Sequence, residues 1–162
     1  MGLAVATVVS YVVNPLVLPP LVYGLALAHV GAPSGDVAIG AGIGALFLGI
    51  VPLAHVGWMW MRGEIESFEI RDRRKRTEPF LVVLGASLAA LVLVGSGEVV
   101  GRRLLMALLG CHFLNTALLL VITRWWKISV HCASVAGALG TLAFVLYHVP
   151  GAVMSGAVLG RA

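Results

Sequence analysis

The stretch "RGEIESFEIRDRRKRTE", residues 62–78, interrupts an otherwise apolar chain, and its reading decides the fold. It holds Arg62, Arg71, Arg73, Arg74, Lys75 and Arg76 beside Glu64, Glu66, Glu69, Asp72 and Glu78, so it cannot lie in hydrocarbon. On either side run apolar segments long enough to cross a bilayer. The 162 residues are 60% hydrophobic and only 11% charged, with a mean hydropathy of +1.02, far from the charge content of soluble domains. The composition is that of an integral membrane protein.

A span needs roughly 20 apolar residues at about 1.5 Å each. Five stretches qualify, at about 3–30, 36–61, 79–96, 104–122 and 128–149. The first carries Asn14, Pro15, Pro19 and Pro20, which remove backbone donors, so it is expected to be one bent span, the alternative being a half-span followed by a helix. A last apolar run at about 151–160 covers only half a bilayer. The expectation is an all-α antiparallel bundle of five transmembrane helices in a single membrane domain, 1–162, with a sixth helix incomplete or absent.

Orientation follows from the cations. The connections 62–78 and 123–127 hold eight, counting Arg124 and Lys127, against Arg102 and Arg103 on the opposite side. The positive-inside rule places the arginine-rich connection and the amino terminus on the cytoplasmic side of the membrane. The chain opens without a cationic leader and cleavage site, so its start reads as part of the mature protein. Cys111 and Cys132 fall in apolar runs and read as small core residues, with no disulfide or zinc pattern and no metal site expected. A formal net charge of +4, clustered beside the spans, points to anionic lipid headgroups or lipid phosphate as the partner rather than to nucleic acid.

Guanidinium groups bind phosphate oxygens in bidentate, charge-assisted pairs, which makes Arg71, Arg73, Arg74 and Arg76 candidate phosphate ligands. A solvated, headgroup-touching connector explains the same charges. The second polar stretch, "RWWKISVHCASVAG", residues 124–137, opens with Trp125 and Trp126, which suit an interfacial aromatic belt. Ser129 is placed to cap the fifth helix. The free amides and positive dipole end at that start favour an anion, and His131 lies about 3 Å further along the axis. Predicted topology puts both stretches at one membrane face.

These residues, with "SYVVNPLVLPP" near the amino terminus, resemble the type 2 phosphatidic acid phosphatase superfamily in its small bacterial membrane branch. The resemblance runs over most of the chain. Members carry a Lys, six residues, then Arg-Pro; a Pro-Ser-Gly-His; and a Ser-Arg, five residues, then His. The resemblance implies phosphate binding by the first signature and by the Arg of the third, a general acid in the second and a nucleophilic His in the third. Arg71 stands where the Lys would, with Glu78 in place of the Arg before Pro79; Glu78 would repel phosphate. Ser129 and His131 match the second signature, with Ile128 and Val130 in place of its Pro and Gly. Arg161 is similar to the Arg of the third, whose His is not in the sequence.

His131 is thus the candidate catalytic acid, with Ser129 and the four arginines as phosphate ligands and no cofactor. His148, 17 residues further, is about 25 Å away along a continuous helix and belongs to the opposite face. His55 reaches the depth of His131, though no motif points to it. His112 is placed to share a network with Asn115 and Thr116. The functional expectation is a phosphatase-like membrane protein that acts on or binds lipid or isoprenoid phosphates at the cytoplasmic face. The alternative is a non-catalytic structural subunit, or one contacting pigment or haem, in a larger membrane complex of photosynthetic or respiratory type. Small-residue runs, "AIGAGIGALFLGI" and "SVAGALG", offer close-approach surfaces for either case.

Overall fold

A computed structural model describes residues 17–66, 70, 72–126 and 128–151. They form an all-α membrane protein with five helices: α1 (Leu18–His29), α2 (Ser34–Met61), α3 (Thr77–Ser96), α4 (Arg102–Thr123) and α5 (Val130–His148). A 3-10 turn, Arg73–Arg76, leads into α3. No strand occurs among the described residues. Helices α2 to α5 are each long and apolar enough to cross a bilayer, because hydrocarbon leaves the backbone no partner but itself. Helix α1 has 12 residues, about 18 Å.

The four long helices fall where hydropathy placed them. Within the first run, Pro19 and Pro20 stand in the first turn of α1, where a missing N–H costs no hydrogen bond, as the alternative of a separate helix starting there has it. Asn14 and Pro15 lie outside the described residues, as does the apolar tail beyond Gly151.

Proline acts differently in α2. Residues Leu46–Ile50 form a wide π-helical turn, in which the Val51 N–H bonds back to the Leu46 carbonyl. Pro52 follows immediately and brings no N–H to the ladder, so the helix absorbs the gap by widening rather than breaking.

Three long-range bonds fix the up-and-down arrangement. His29 Nε2 donates to the Val149 carbonyl at 2.9 Å, joining the ends of α1 and α5. The Val100 N–H donates to Asp36 Oδ2 at 3.0 Å, tying the α3–α4 connection to the start of α2. At the other end, Arg76 Nη1 donates to the Ile128 carbonyl at 3.0 Å. Each bond joins segments that alternating helices bring to one end.

Helix α1 is the hub of the core. Its Val22, Tyr23, Ala26 and Leu27 pack with Ile43, Leu48, Ala90, Val94, Leu105, Leu108, Leu109 and Val145. Between helices in lipid the gain is dispersion and close fit rather than removal from water. Glycine therefore matters on the α1–α2 seam. A Cβ on Gly44 would lie 2.9 Å from the Pro20 nitrogen and 3.0 Å from the Pro19 carbonyl carbon, and one on Gly40 would overlap Leu27 Cδ1. The Gly40–Gly44 pair is spent on an internal seam, whereas Gly42 meets nothing within 4 Å.

Helix α5 is held more lightly, with Val145 its one buried residue. Neither cysteine is a core residue: Cys111 and Cys132 are both exposed.

Candidate functional site

The site is built where the charged connection meets the start of α5. Helix α2 stops after Met61 as Gly63 takes φ +72°, and the chain folds back so that Lys75 Nζ donates to the Glu64 carbonyl. Arg76 Nε donates to the Ile70 carbonyl at 2.7 Å, while Nη1 crosses to Ile128. One guanidinium thus ties both halves of this end together. It uses two of its five N–H donors on carbonyls, which leaves others for an anion.

Ser129 takes an extended conformation and its Oγ accepts from the Cys132 N–H at 3.4 Å, so it caps α5. His131 is the second residue of that helix and is exposed. Trp125 and Trp126 are exposed just before it, as residues of an interfacial belt would be. Arg76, Ser129 and His131 are accordingly brought to one end of the bundle. Arg73 and Arg74 stand in the adjoining 3-10 turn. Arg71 lies outside the described residues.

One contact here was not foreseen from the sequence. His55 Nε2 lies 3.3 Å from Glu78 Oε1, with the histidine side chain 13% exposed and the glutamate 60%. The Nε2 atom is inaccessible and forms no hydrogen bond, so this is an off-axis electrostatic contact, not a directed one. Glu78 is turned toward α2. Arg76, two positions earlier, reaches toward α5, as residues so spaced do not share a helix face. The only signals in the sequence were the depth of His55 and the acid before Pro79, and neither indicates that the two meet.

Beside Glu78 lies a groove of about 470 Å³ lined by Met59, Glu64, Lys75, Thr77, Glu78 and Leu81. Two carboxylates against one cation make it a poor anion receptor. The electrostatics favour the α5 side, around Arg76 and the cap of α5.

The other histidines stand elsewhere. His29 binds Val149 and His148 Nδ1 donates to the Phe144 carbonyl at 3.3 Å, stacked on the Phe144 ring; both are at the far end of an unbroken α5. His112 is in the middle of α4, where Thr116 Oγ1 donates to its backbone carbonyl at 2.8 Å instead of to its ring, the usual bond of a threonine one helical turn on. Among the described residues no three His, Cys, Asp or Glu side chains converge as a metal set.

What fold and geometry define is a class: an all-α membrane protein with a cation-bearing connection bonded to a helix start at one end. Comparison with known families, curated proteins and solved structures yields no match at any of the three levels.

Proposed function

We propose that the chain is a phosphatase-like membrane protein that binds lipid or isoprenoid phosphates at its arginine-bearing end. The observation that carries this reading is the Arg76–Ile128 bond, which brings the cationic connection against the start of the helix bearing His131. An anion there meets guanidinium donors, the free amides of the first turn of α5 and one imidazole. Arg71, Arg73 and Arg74 extend the receptor and His131 serves as general acid. Turnover is slow in this reading. His29 and His148 belong to the other end, His112 to the middle, and His55 faces Glu78, so no second imidazole flanks the bound phosphate among the described residues. The first apolar run counts as a span, giving five; the positive-inside bias puts this end and the amino terminus on the cytoplasmic side, and the phosphatase resemblance makes the membrane a bacterial inner one.

The test is flotation of the purified protein with vesicles containing phosphatidic acid against vesicles matched in charge by phosphatidylserine, together with phosphate release. Preference for the phosphate monoester, weakened by Arg76→Gln, supports the reading. Equal binding to both vesicles sinks it.

A second reading, a non-catalytic subunit of a larger complex, draws on α5, whose residues other than Val145 stay unburied. Recovery in a stable assembly or a visible absorption band in the isolated protein would favour it; a colourless monomer would count against it.

A further inference from the structure

Between α1, α4 and α5 lies a cavity of about 520 Å³. It begins at Ser134, four residues or about 6 Å along α5 from Val130, and so lies beneath the arginine-bearing end. Its walls are mostly apolar, with six polar or sulfur-bearing side chains: Tyr23, Cys111, His112, Asn115, Ser134 and Thr141. None of the residues lining it is charged.

Tyr23 makes this space more than a packing defect. Its side chain is only 3% exposed, and its hydroxyl is buried without a hydrogen-bond partner among the described residues. A donor left unpaired in a low-dielectric interior is costly, and such atoms are rare unless something else completes them. The volume falls in the range of small-molecule sites, which combine apolar walls with a few convergent polar groups. Cys111 and Phe144 of its lining are exposed, on two helices long and apolar enough to cross a bilayer, so the open side of the cavity is one that hydrocarbon would cover. A ligand reaches it from the lipid.

We propose that this cavity binds a neutral, oxygen-bearing lipid: an uncharged apolar molecule whose hydroxyl or carbonyl oxygen accepts from Tyr23. Neutrality follows from the walls, since a charged headgroup at this depth would stand without a counter-ion. An isoprenoid alcohol and a short-tailed quinone both present this chemistry. The inference rests on the cavity alone and stands whether or not the other end binds phosphate.

The two cysteines supply the test. Cys111 lines the cavity, whereas Cys132 is exposed in the first turn of α5 outside it and reports on general reactivity. Alkylation of each thiol by a membrane-permeant maleimide is followed by mass spectrometry in nanodiscs with farnesol, a decyl benzoquinone, or farnesene as the matched hydrocarbon. Farnesol or the quinone should slow labelling of Cys111 several-fold more than farnesene does, with Cys132 unchanged, and the arm that protects identifies the headgroup. Tyr23→Phe keeps the ring and loses the donor, so the protecting concentration should rise about three- to tenfold. Gly140→Leu, where a Cβ meets nothing within 4 Å, should fill the space and abolish protection. Should Gly140→Leu fail to fold, as judged by helical circular dichroism, Tyr23→Phe decides alone. Equal protection by farnesene, or no change in Tyr23→Phe, overturns the proposal.

Discussion

Arg76 Nη1 donates to the Ile128 carbonyl at 3.0 Å, across 52 positions of sequence, and this bond closes one end of the bundle. The same side chain holds Ile70 through Nε, so it sets the shape of the cationic connection and its distance from α5 together. A lysine has three donors on one atom and cannot span the two carbonyls as the guanidinium fork does.

Arg76→Lys should therefore loosen both attachments. Each charge-assisted bond of a half-buried guanidinium is worth about 1.5–3 kcal/mol. Hydrogen exchange should speed up at residues 72–76 and 128–132 and stay unchanged at the His29–Val149 end. Uniform acceleration along the chain would mean that Arg76 supports the whole fold instead.

His131→Ala is expected to be nearly silent in stability, within about 0.5 kcal/mol, because the residue is exposed and its ring has no hydrogen bond among the described residues. Any hydrolysis of phosphatidic acid should fall by roughly 10²–10⁴, the usual worth of general-acid help. Phosphate release by wild type and variant, read beside thermal unfolding, separates the two effects. Unchanged release from the variant removes His131 from the chemistry.

Glu78→Gln removes a negative charge beside the cationic connection and releases His55. Affinity for phosphatidic acid vesicles should rise about fivefold, the worth of one charge near a membrane surface. The gain should shrink as salt rises. Vesicle flotation at two ionic strengths reads both. A salt-independent gain would assign the effect to packing at α2 and not to charge.

Gly44→Ala and Gly42→Ala form a matched pair on one helix. The first drives a methyl into the Pro19–Pro20 backbone and should cost about 1–3 kcal/mol, the usual price of overpacking. The second meets open space and should be neutral or slightly stabilising. Thermal unfolding in one detergent compares them. Equal melting temperatures would show that α1 does not dock on this seam in solution.

Tyr23→Phe offers a stability reading separate from any ligand. Removing a buried hydroxyl that lacks a partner should stabilise the ligand-free protein, by up to about 1–3 kcal/mol. A loss of that size would reveal a bonding partner for Tyr23.

The sequence by itself determined the class and most of the helix positions. Runs of about 20 apolar residues must be helical in lipid, since no other local structure satisfies its own backbone, and the charged stretch 62–78 must lie outside. Ser129 as a cap was legible for a similar reason: a short polar side chain before a long apolar run has a local partner, the N–H of Cys132. What only the tertiary structure decided are meetings between helices. Arg76 with Ile128, His55 with Glu78, Tyr23 beside its cavity and the exposure of both cysteines all depend on which helix lies beside which. Apolar residues cover these helices on every side, so the chain carries no periodic mark of which face turns inward. Close approach at Gly40 and Gly44 sets that choice, and it becomes visible only once α1 is seated against them.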